Sequence, residues 1–285
     1  VHKTPQVKAG LFGHPLGKSL SPAVFGVFAR LTGVKISYEL REVAPEHLAG
    51  AIDGARGEGW DGFNVTLPYK LKVAAMLDLS DPAVKAAGSV NTVRFGRAGL
   101  EGLNTDARAL IDAMNAAGGG AAGKAAAVFG AGGAAASAGW ALGRAGAASV
   151  TFCARNRAAA AALAARLSFA FPNTAYTAAP FETPGGQPAI LVNATPLGMY
   201  APGRPPCVPG PETLAVDLAY AAGGTDFAAA ARAAGARTVD GLELLVRQAA
   251  LSLKFWSGLP GGDIVKFTDE ALGLLRQQIQ NGGVQ

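Results

Sequence analysis

The chain has 285 residues, half of them apolar and 16% charged, with 39 glycines and a net charge of +5. That length suffices for two ordinary domains, and the composition excludes a disordered or fibrous chain. The basic residues form no run interleaved with aromatics, so no nucleic-acid partner is expected, and Cys153 and Cys207 have neither disulfide-framework nor metal-ligand spacing, so no metal is expected.

After Val1-His2-Lys3 the sequence lacks the apolar core of a signal peptide, which predicts a cytoplasmic protein. Val7 to Phe12 reads as a first strand entering a loop at Gly13-His14-Pro15. Ser21-Pro22 opens a helix, with Ser21 as N-cap, Pro22 at the first helical position and Val24, Phe25, Phe28 and Leu31 on one face before Gly33. Ile36 to Val43 alternates as a strand and Pro45 to Ile52 reads as a helix. Gly62 to Thr66 is strand-like, Pro68 to Leu77 helical, Val90 to Phe95 strand-like and Thr105 to Ala117 helical. Alternation of this kind predicts α/β architecture.

The cluster Gly118-Gly119-Gly120 followed by Gly123 reads as a linker before a second strand-helix series. Two uncharged stretches, Ala125 to Gly143 and Thr183 to Gly203, are rich in Ala, Gly, Pro and Asn, so they read as strands and turns and no membrane association is expected. Leu214 to Asp217 is strand-like, Gly241 to Trp256 forms a helix apolar on most of its circumference, and a last helix runs from about Lys266 to Ile279.

Ala125 to Phe129 is an apolar strand running into Gly130-Ala131-Gly132-Gly133-Ala134-Ala135, which matches G-x-G-x-x-A. Gly130 permits the tight turn, Gly132 lets the backbone approach a pyrophosphate and Ala135 allows close helix-strand packing, while the helix N-terminus offers amide donors. The next strand, Ser149 to Cys153, ends in Ala154-Arg155-Asn156-Arg157. The carboxylate that would bind a ribose 2′-hydroxyl is missing and guanidinium groups stand in its place, which favours NADP over NAD.

Four polar clusters lie in the first half: Gly17-Lys18-Ser19-Leu20-Ser21-Pro22, Asn64-Val65-Thr66-Leu67-Pro68-Tyr69-Lys70, Ser89-Val90-Asn91-Thr92 and Asn104-Thr105-Asp106. Taken singly, Lys70 reads as a solvated lysine, Asn91 as a turn former and Asp106 as a helix cap. Taken together, in this order and spacing, the clusters resemble the patterns S-x-S-P, N-V-T-x-P-x-K, V-N-T and G-x-N-T-D of the shikimate dehydrogenase family. The resemblance continues through Gly130 to Ala135, Asn193-Ala194-Thr195-Pro196-Leu197-Gly198-Met199 and Gly241 to Ala250, covering nearly the whole chain.

That resemblance implies two α/β domains: a substrate domain of residues 1–108 completed by C-terminal helices from 241 to 285, and a Rossmann-like NADP-binding domain of residues 109–240. It implies reversible NADPH-dependent reduction of 3-dehydroshikimate to shikimate, on the route to chorismate and the aromatic amino acids. Lys70 and Asp106 would be the catalytic pair. Ser19 and Ser21 would hold the substrate carboxylate, Thr66, Asn91 and Gln248 the ring hydroxyls, and Tyr220 would lie near nicotinamide and substrate. Gly130, Ala131, Gly132, Gly133, Ala134, Arg155, Asn193, Thr195 and Gly241 would serve the cofactor.

Gln248 also has a physical argument, since a buried amide on an apolar helix requires a hydrogen-bond partner, and a substrate hydroxyl would serve. The chain departs from the family pattern at Ala107-Arg108, where glycine commonly follows the aspartate, and at Ala154, where many NADP-using members have asparagine. A quinate/shikimate dehydrogenase or related ring-acid enzyme with NAD or mixed cofactor use is the nearest alternative, and a non-catalytic cofactor-binding module a more distant one. A monomer or homodimer is expected.

Overall fold

The computed structural model describes residues 5–17, 19–182, 186–258 and 266–283. Lys18 of the first polar cluster, Thr183 at the start of the second uncharged stretch and the first four residues lie outside them. The chain divides into two compact units, one of residues 1–84, 90–105 and 245–285, the other of residues 85–89 and 106–244.

In chain order the elements begin with β1 (Gln6–Gly13), α1 (Ser21–Thr32), β2 (Lys35–Glu42), a 3-10 turn at Pro45–His47, α2 (Leu48–Gly57), β3 (Gly62–Val65) and α3 (Lys70–Ala74). β4 (Leu79–Ser80), α4 (Pro82–Ala87), β5 (Thr92–Gly96) and β6 (Gly99–Leu103) follow. The next series is α5 (Thr105–Ala116), β7 (Ala125–Phe129), α6 (Gly133–Arg144), β8 (Ser149–Cys153), α7 (Arg157–Ala170), β9 (Ala175–Ala179), β10 (Ile190–Asn193), β11 (Leu214–Asp217), α8 (Asp226–Ala233) and β12 (Arg237–Val239). α9 (Gly241–Ser257) and α10 (Thr268–Gln280) close the described chain.

The first unit is built on a mixed sheet ordered β2-β1-β3-β5-β6-β4. β1 runs parallel to β2 over eight residues and parallel to β3, whereas β5 is antiparallel to both β3 and β6. Gly10 makes room on β1 for the Trp60 ring, which a Cβ there would strike, and Trp60 stacks on Phe12. Phe12, Phe63, Ile52, Val73 and Val93 belong to the core beneath α2 and α3. A second aromatic group joins α1, β2 and α9: Phe25 stacks on Tyr38 at 4.1 Å between ring centres, and Trp256 packs on both while donating its indole N–H to Val93 O.

The second unit is a fully parallel sheet ordered β12-β11-β10-β7-β8-β9. Counted from β7, this is the order 3-2-1-4-5-6 of the doubly wound dinucleotide fold, with its switch point between β7 and β10. β10 and β11 are buried along their whole length, as strands covered on both faces must be. α6 lies close on the sheet through Gly139 and Gly143: a Cβ on Gly139 would strike the Phe152 ring, and one on Gly143 would strike the Tyr176 hydroxyl, which instead donates to Gly139 O at 2.9 Å.

Several expectations are corrected. Ser21 is the first residue inside α1, and Leu20 is its N-cap, with no side-chain capping bond. The helix expected from Pro68 to Leu77 shortens to Lys70–Ala74, because the chain turns through Thr66 to Tyr69 first, with Tyr69 N–H on Thr66 O at 2.8 Å. The glycine cluster read as a linker lies within the second unit. Gly118 closes α5 with positive φ, and Gly119 packs so tightly on Leu214 that a Cβ would come within 2.6 Å of it.

Candidate functional site

In the first unit, the hydrogen bond from Val65 N–H to Asn91 O and that from Val90 N–H to Lys70 O place the second and third polar clusters side by side. The fourth joins them through Thr105 N–H, which donates to Asn91 Oδ1 at 2.7 Å. α9 supplies Gln248 and, one turn later, Ser252. The result is a buried polar network of Asn64, Asn91, Thr92, Thr105, Gln248 and Ser252, with half-buried Tyr38 at its edge.

Donor counting orients this network. Ser252 Oγ spends its one hydrogen on Gln248 O at 2.9 Å, so it accepts from Thr92 Oγ1 at 2.8 Å. Thr92 must then accept from Thr105 Oγ1 at 3.0 Å, and Thr105 accepts from Asn91 Nδ2 at 2.8 Å. Asn64 Nδ2 braces the chain from the side, reaching Asn91 O, Thr92 Oγ1 and Ser252 Oγ at 2.9 to 3.1 Å, while its Oδ1 accepts from Tyr38 OH. The partners of the Gln248 amide are thus within the protein: its Oε1 accepts from Asn91 Nδ2 at 3.3 Å and its Nε2 donates to Leu245 O at 2.8 Å. Asn64, Thr92, Thr105 and Ser252 were not among the nominated site residues. The first three stood in the quoted clusters; Ser252 carried no signal except its i+4 spacing from Gln248.

Ser19 Oγ accepts the Ser21 N–H at 3.3 Å at the entrance to α1, whose first turn holds no acidic residue. Ser21 is buried and Ser19 half-buried. Thr66 bonds through its backbone to Phe12 O, and Lys70 begins α3, half-buried. Asp106 is the second residue of α5, in the first turn, and the first residue of the long segment of the second unit.

In the second unit the strand-to-helix turn has the expected form. Gly130 has φ of 120°, and a Cβ there would stand 2.8 Å from Ala194 O, so only glycine fits. Its N–H donates to Cys153 O, tying the turn to the end of β8. Gly132 differs: its φ is −90°, and a Cβ there would meet nothing within 4 Å, so its backbone faces open space. The first helical bond of α6 is Ala136 N–H to Gly132 O, so the amides of Gly133, Ala134 and Ala135 precede it, and the first turn holds no acid and no side-chain cap. Arg155 is exposed just past β8, while Asn156 caps α7 by accepting from Ala159 N–H at 3.0 Å.

Across the switch point, β10 ends in Asn193, which is fully buried. Its Nδ2 donates to Asp217 Oδ1 at 2.8 Å and to Leu197 O, and its Oδ1 accepts from both the N–H and the hydroxyl of Thr195. The Asn193 amide thus braces the loop that follows β10. Gly241 packs against Ala219, whose carbonyl carbon a Cβ would approach to 2.6 Å, and against Tyr220, which is half-buried.

The turn at Gly130, the open backbone at Gly132, the uncapped start of α6 and an arginine in place of a carboxylate after β8 fit a dinucleotide carrying a 2′-phosphate. Among the described residues no group of three or more His, Cys, Asp or Glu could hold a metal ion, and no helix is long and apolar enough to cross a membrane.

The family described as shikimate dehydrogenase substrate binding domain matches residues 11–93. A shikimate dehydrogenase (NADP(+)) of Anaeromyxobacter sp. (strain K) is 42% identical over 259 residues, covering 88% of this chain and 91% of its own. That of Aromatoleum aromaticum is 37% identical over 277 residues, covering 95% and 98%. The crystal structure of shikimate 5-dehydrogenase from Thermus thermophilus in complex with NADP(H) and shikimate resembles this chain with a TM-score of 0.77 at 33% identity, over 93% of this chain and 99% of that one.

Proposed function

The chain belongs to the shikimate dehydrogenase family, and from that premise we propose how its residues carry out the NADP-dependent, reversible reduction of 3-dehydroshikimate to shikimate. The observation that carries the reading is the joining of the N-V-T, V-N-T and N-T-D clusters with Gln248 in one buried network, since none of them alone distinguishes a site from a loop.

In this reading residues 1–108 and 241–285 serve the substrate and residues 109–240 the cofactor. The substrate carboxylate lies at the start of α1, where the Ser19 and Ser21 hydroxyls and the positive end of the helix receive it without competition from a protein carboxylate. The ring hydroxyls meet Thr66, Asn91 and Gln248; the network behind Asn91 and Gln248 fixes their amides before the substrate arrives, which lowers the ordering cost of binding. Lys70 delivers a proton to the carbonyl oxygen as it is reduced and takes it back in the reverse direction, and Asp106 orients the ammonium group.

When bound, NADPH would supply the hydride for reduction and NADP+ would take it up in the reverse direction. Gly130, Ala131, Gly132, Gly133 and Ala134 would seat the cofactor's pyrophosphate at the start of α6, Arg155 would pair with the 2′-phosphate, and Asn193, Thr195 and Gly241 would shape the rest of the seat, with Tyr220 beside the nicotinamide. The same reading makes the protein a cytoplasmic monomer or homodimer. Measuring kcat/KM for NADP and NAD, each with shikimate and with quinate, tests it. The expected result is a dominant NADP–shikimate pair; comparable quinate turnover or NAD preference would replace the reading with a broader ring-acid dehydrogenase.

A further inference from the structure

We propose that Asp217 is a positioning residue for the cofactor: its carboxylate holds the Asn193–Thr195 lip of the dinucleotide seat, and the affinity for NADP(H) depends on that hold. The inference rests on the reading that the second unit seats the dinucleotide at its switch point.

Asp217 ends β11, the strand beside β10, and is fully buried. Its Oδ1 accepts from Asn193 Nδ2 at 2.8 Å and from Ala219 N–H at 3.0 Å, and its Oδ2 accepts the Thr225 hydroxyl. One carboxylate thus holds three segments at the ligand-facing ends of the strands: the lip after β10, the turn leading to Tyr220 and the N-cap of α8, where Thr225 Oγ1 accepts from Ala228 N–H. The bond to Asn193 sets the whole lip. With its Nδ2 on Asp217, the Asn193 oxygen is turned toward Thr195, whose N–H and hydroxyl both use it. Next to Thr195, Ala194 O stands opposite Gly130 of the phosphate turn, close enough to exclude a Cβ. A shift in the Asn193 amide therefore moves one side of the seat relative to the other.

The three hydrogen-bond partners of Asp217 are neutral, and a buried carboxylate without a cation is costly. Desolvation accordingly raises its pKa to about 6, against the lowering effect of its hydrogen bonds. Charged groups on the flanking elements do not offset this. Asp240, just past β12, adds its negative charge to the upward shift and is itself paired with Arg232 of α8 at 2.9 Å. Asp226 begins α8, Arg237 at the far end of β12 donates to Ala117 O and Gly118 O, and Ile190–Asn193 carries no charge. An apolar residue would fill the space at lower cost, so the charge is explained by what it holds.

The test is titration of the whole protein with NADPH, followed by nucleotide fluorescence between pH 5 and pH 8.5, for the wild type and Asp217→Asn, alongside their melting temperatures. The expected result is an Asp217→Asn Kd about tenfold higher than wild type at pH 8, narrowing toward parity at pH 5, where the wild-type carboxyl is protonated; the melting temperature at pH 8 is no lower. Taking the ratio of the two proteins cancels titration of the nucleotide phosphate. A ratio that stays at one, or that is the same at every pH, overturns the proposal, as does a lower melting temperature with unchanged affinity. Should Asp217→Asn fail to fold, Thr225→Val is expected to weaken NADPH binding and Thr225→Ser to restore it; equal affinities for the two would overturn it as well. A wild type that binds no NADPH removes the reading of the seat and this proposal with it.

Discussion

Ser252 is the residue whose importance depends most on its neighbours. Its hydroxyl closes a chain in which Asn91, Thr105, Thr92 and Ser252 each donate to the next and the last donates to Gln248 O. Ser252→Ala deprives Thr92 of its acceptor in a site from which water is excluded, so stability is expected to fall by about 2 kcal/mol. The freed Thr92 hydroxyl can turn toward Thr105 and compete with Asn91 Nδ2 for its oxygen, loosening the Asn91 amide that on the proposed reading meets a ring hydroxyl. Steady-state kinetics should then give a KM for shikimate several-fold higher with kcat changed less, while the Kd for NADPH, on the reading that the other unit seats the cofactor, stays at the wild-type value. An unchanged KM would reduce Ser252 to a packing residue. The pair Lys70 and Asp106 was nominated from its motif, whereas Ser252 could not be, because nothing in a helix of Leu, Ala and Val distinguishes a serine that is bonded inward from one that faces solvent.

At the scale of the element, α6 has the most exacting packing. Gly139 and Gly143 bring the helix backbone down onto Phe152 and Tyr176, and at Gly139 a Cβ would also come within 2.7 Å of Leu167. Alanine is the better helix former by about 1 kcal/mol, so in an exposed helix Gly139→Ala would stabilise. Here overpacking dominates, and a net loss of roughly 1 to 2 kcal/mol is expected in chemical denaturation, whereas Gly132→Ala, with open space at its Cβ, should cost less than half of that. A gain in stability for Gly139→Ala would mean that α6 stands farther from the sheet. Before folding, G-x-G-x-x-A pointed to Ala135 as the site of close packing, and Ala135 is indeed buried, but the tightest approach comes one turn later, set by aromatic side chains from other strands. The same limit explains the boundaries. β7, β8 and β11 were legible because their apolar runs are bounded by glycine, Ala-Arg or a terminal aspartate. β4 and β6 were not, since two residues, or a Gly-Leu-Glu-Gly-Leu stretch, acquire strand character only from the partners they pair with.

At the scale of the whole molecule, the sequence resemblance conveyed the two α/β domains, and the strand order of the second sheet gives the physical reason one of them suits a dinucleotide. The pattern could not reveal that residues 85–89 join the second unit or that the division falls inside α9, at Leu244 and Leu245, because unit membership is decided by tertiary contacts rather than local composition. The interleaving has a consequence for biosynthesis. A ribosome makes the chain in one direction, and domains tend to fold as they emerge. The second unit, whose segments end at Leu244, is complete while the first still lacks Gln248 and Ser252. Protease challenge of nascent chains stalled at increasing lengths should find residues 106–244 protected before residues 6–84, so that the part made first is finished last. In the interval β3 and β5 wait with Asn64 and Thr92 lacking the serine that completes their bonding, and this half of the protein would be the one a chaperone attends.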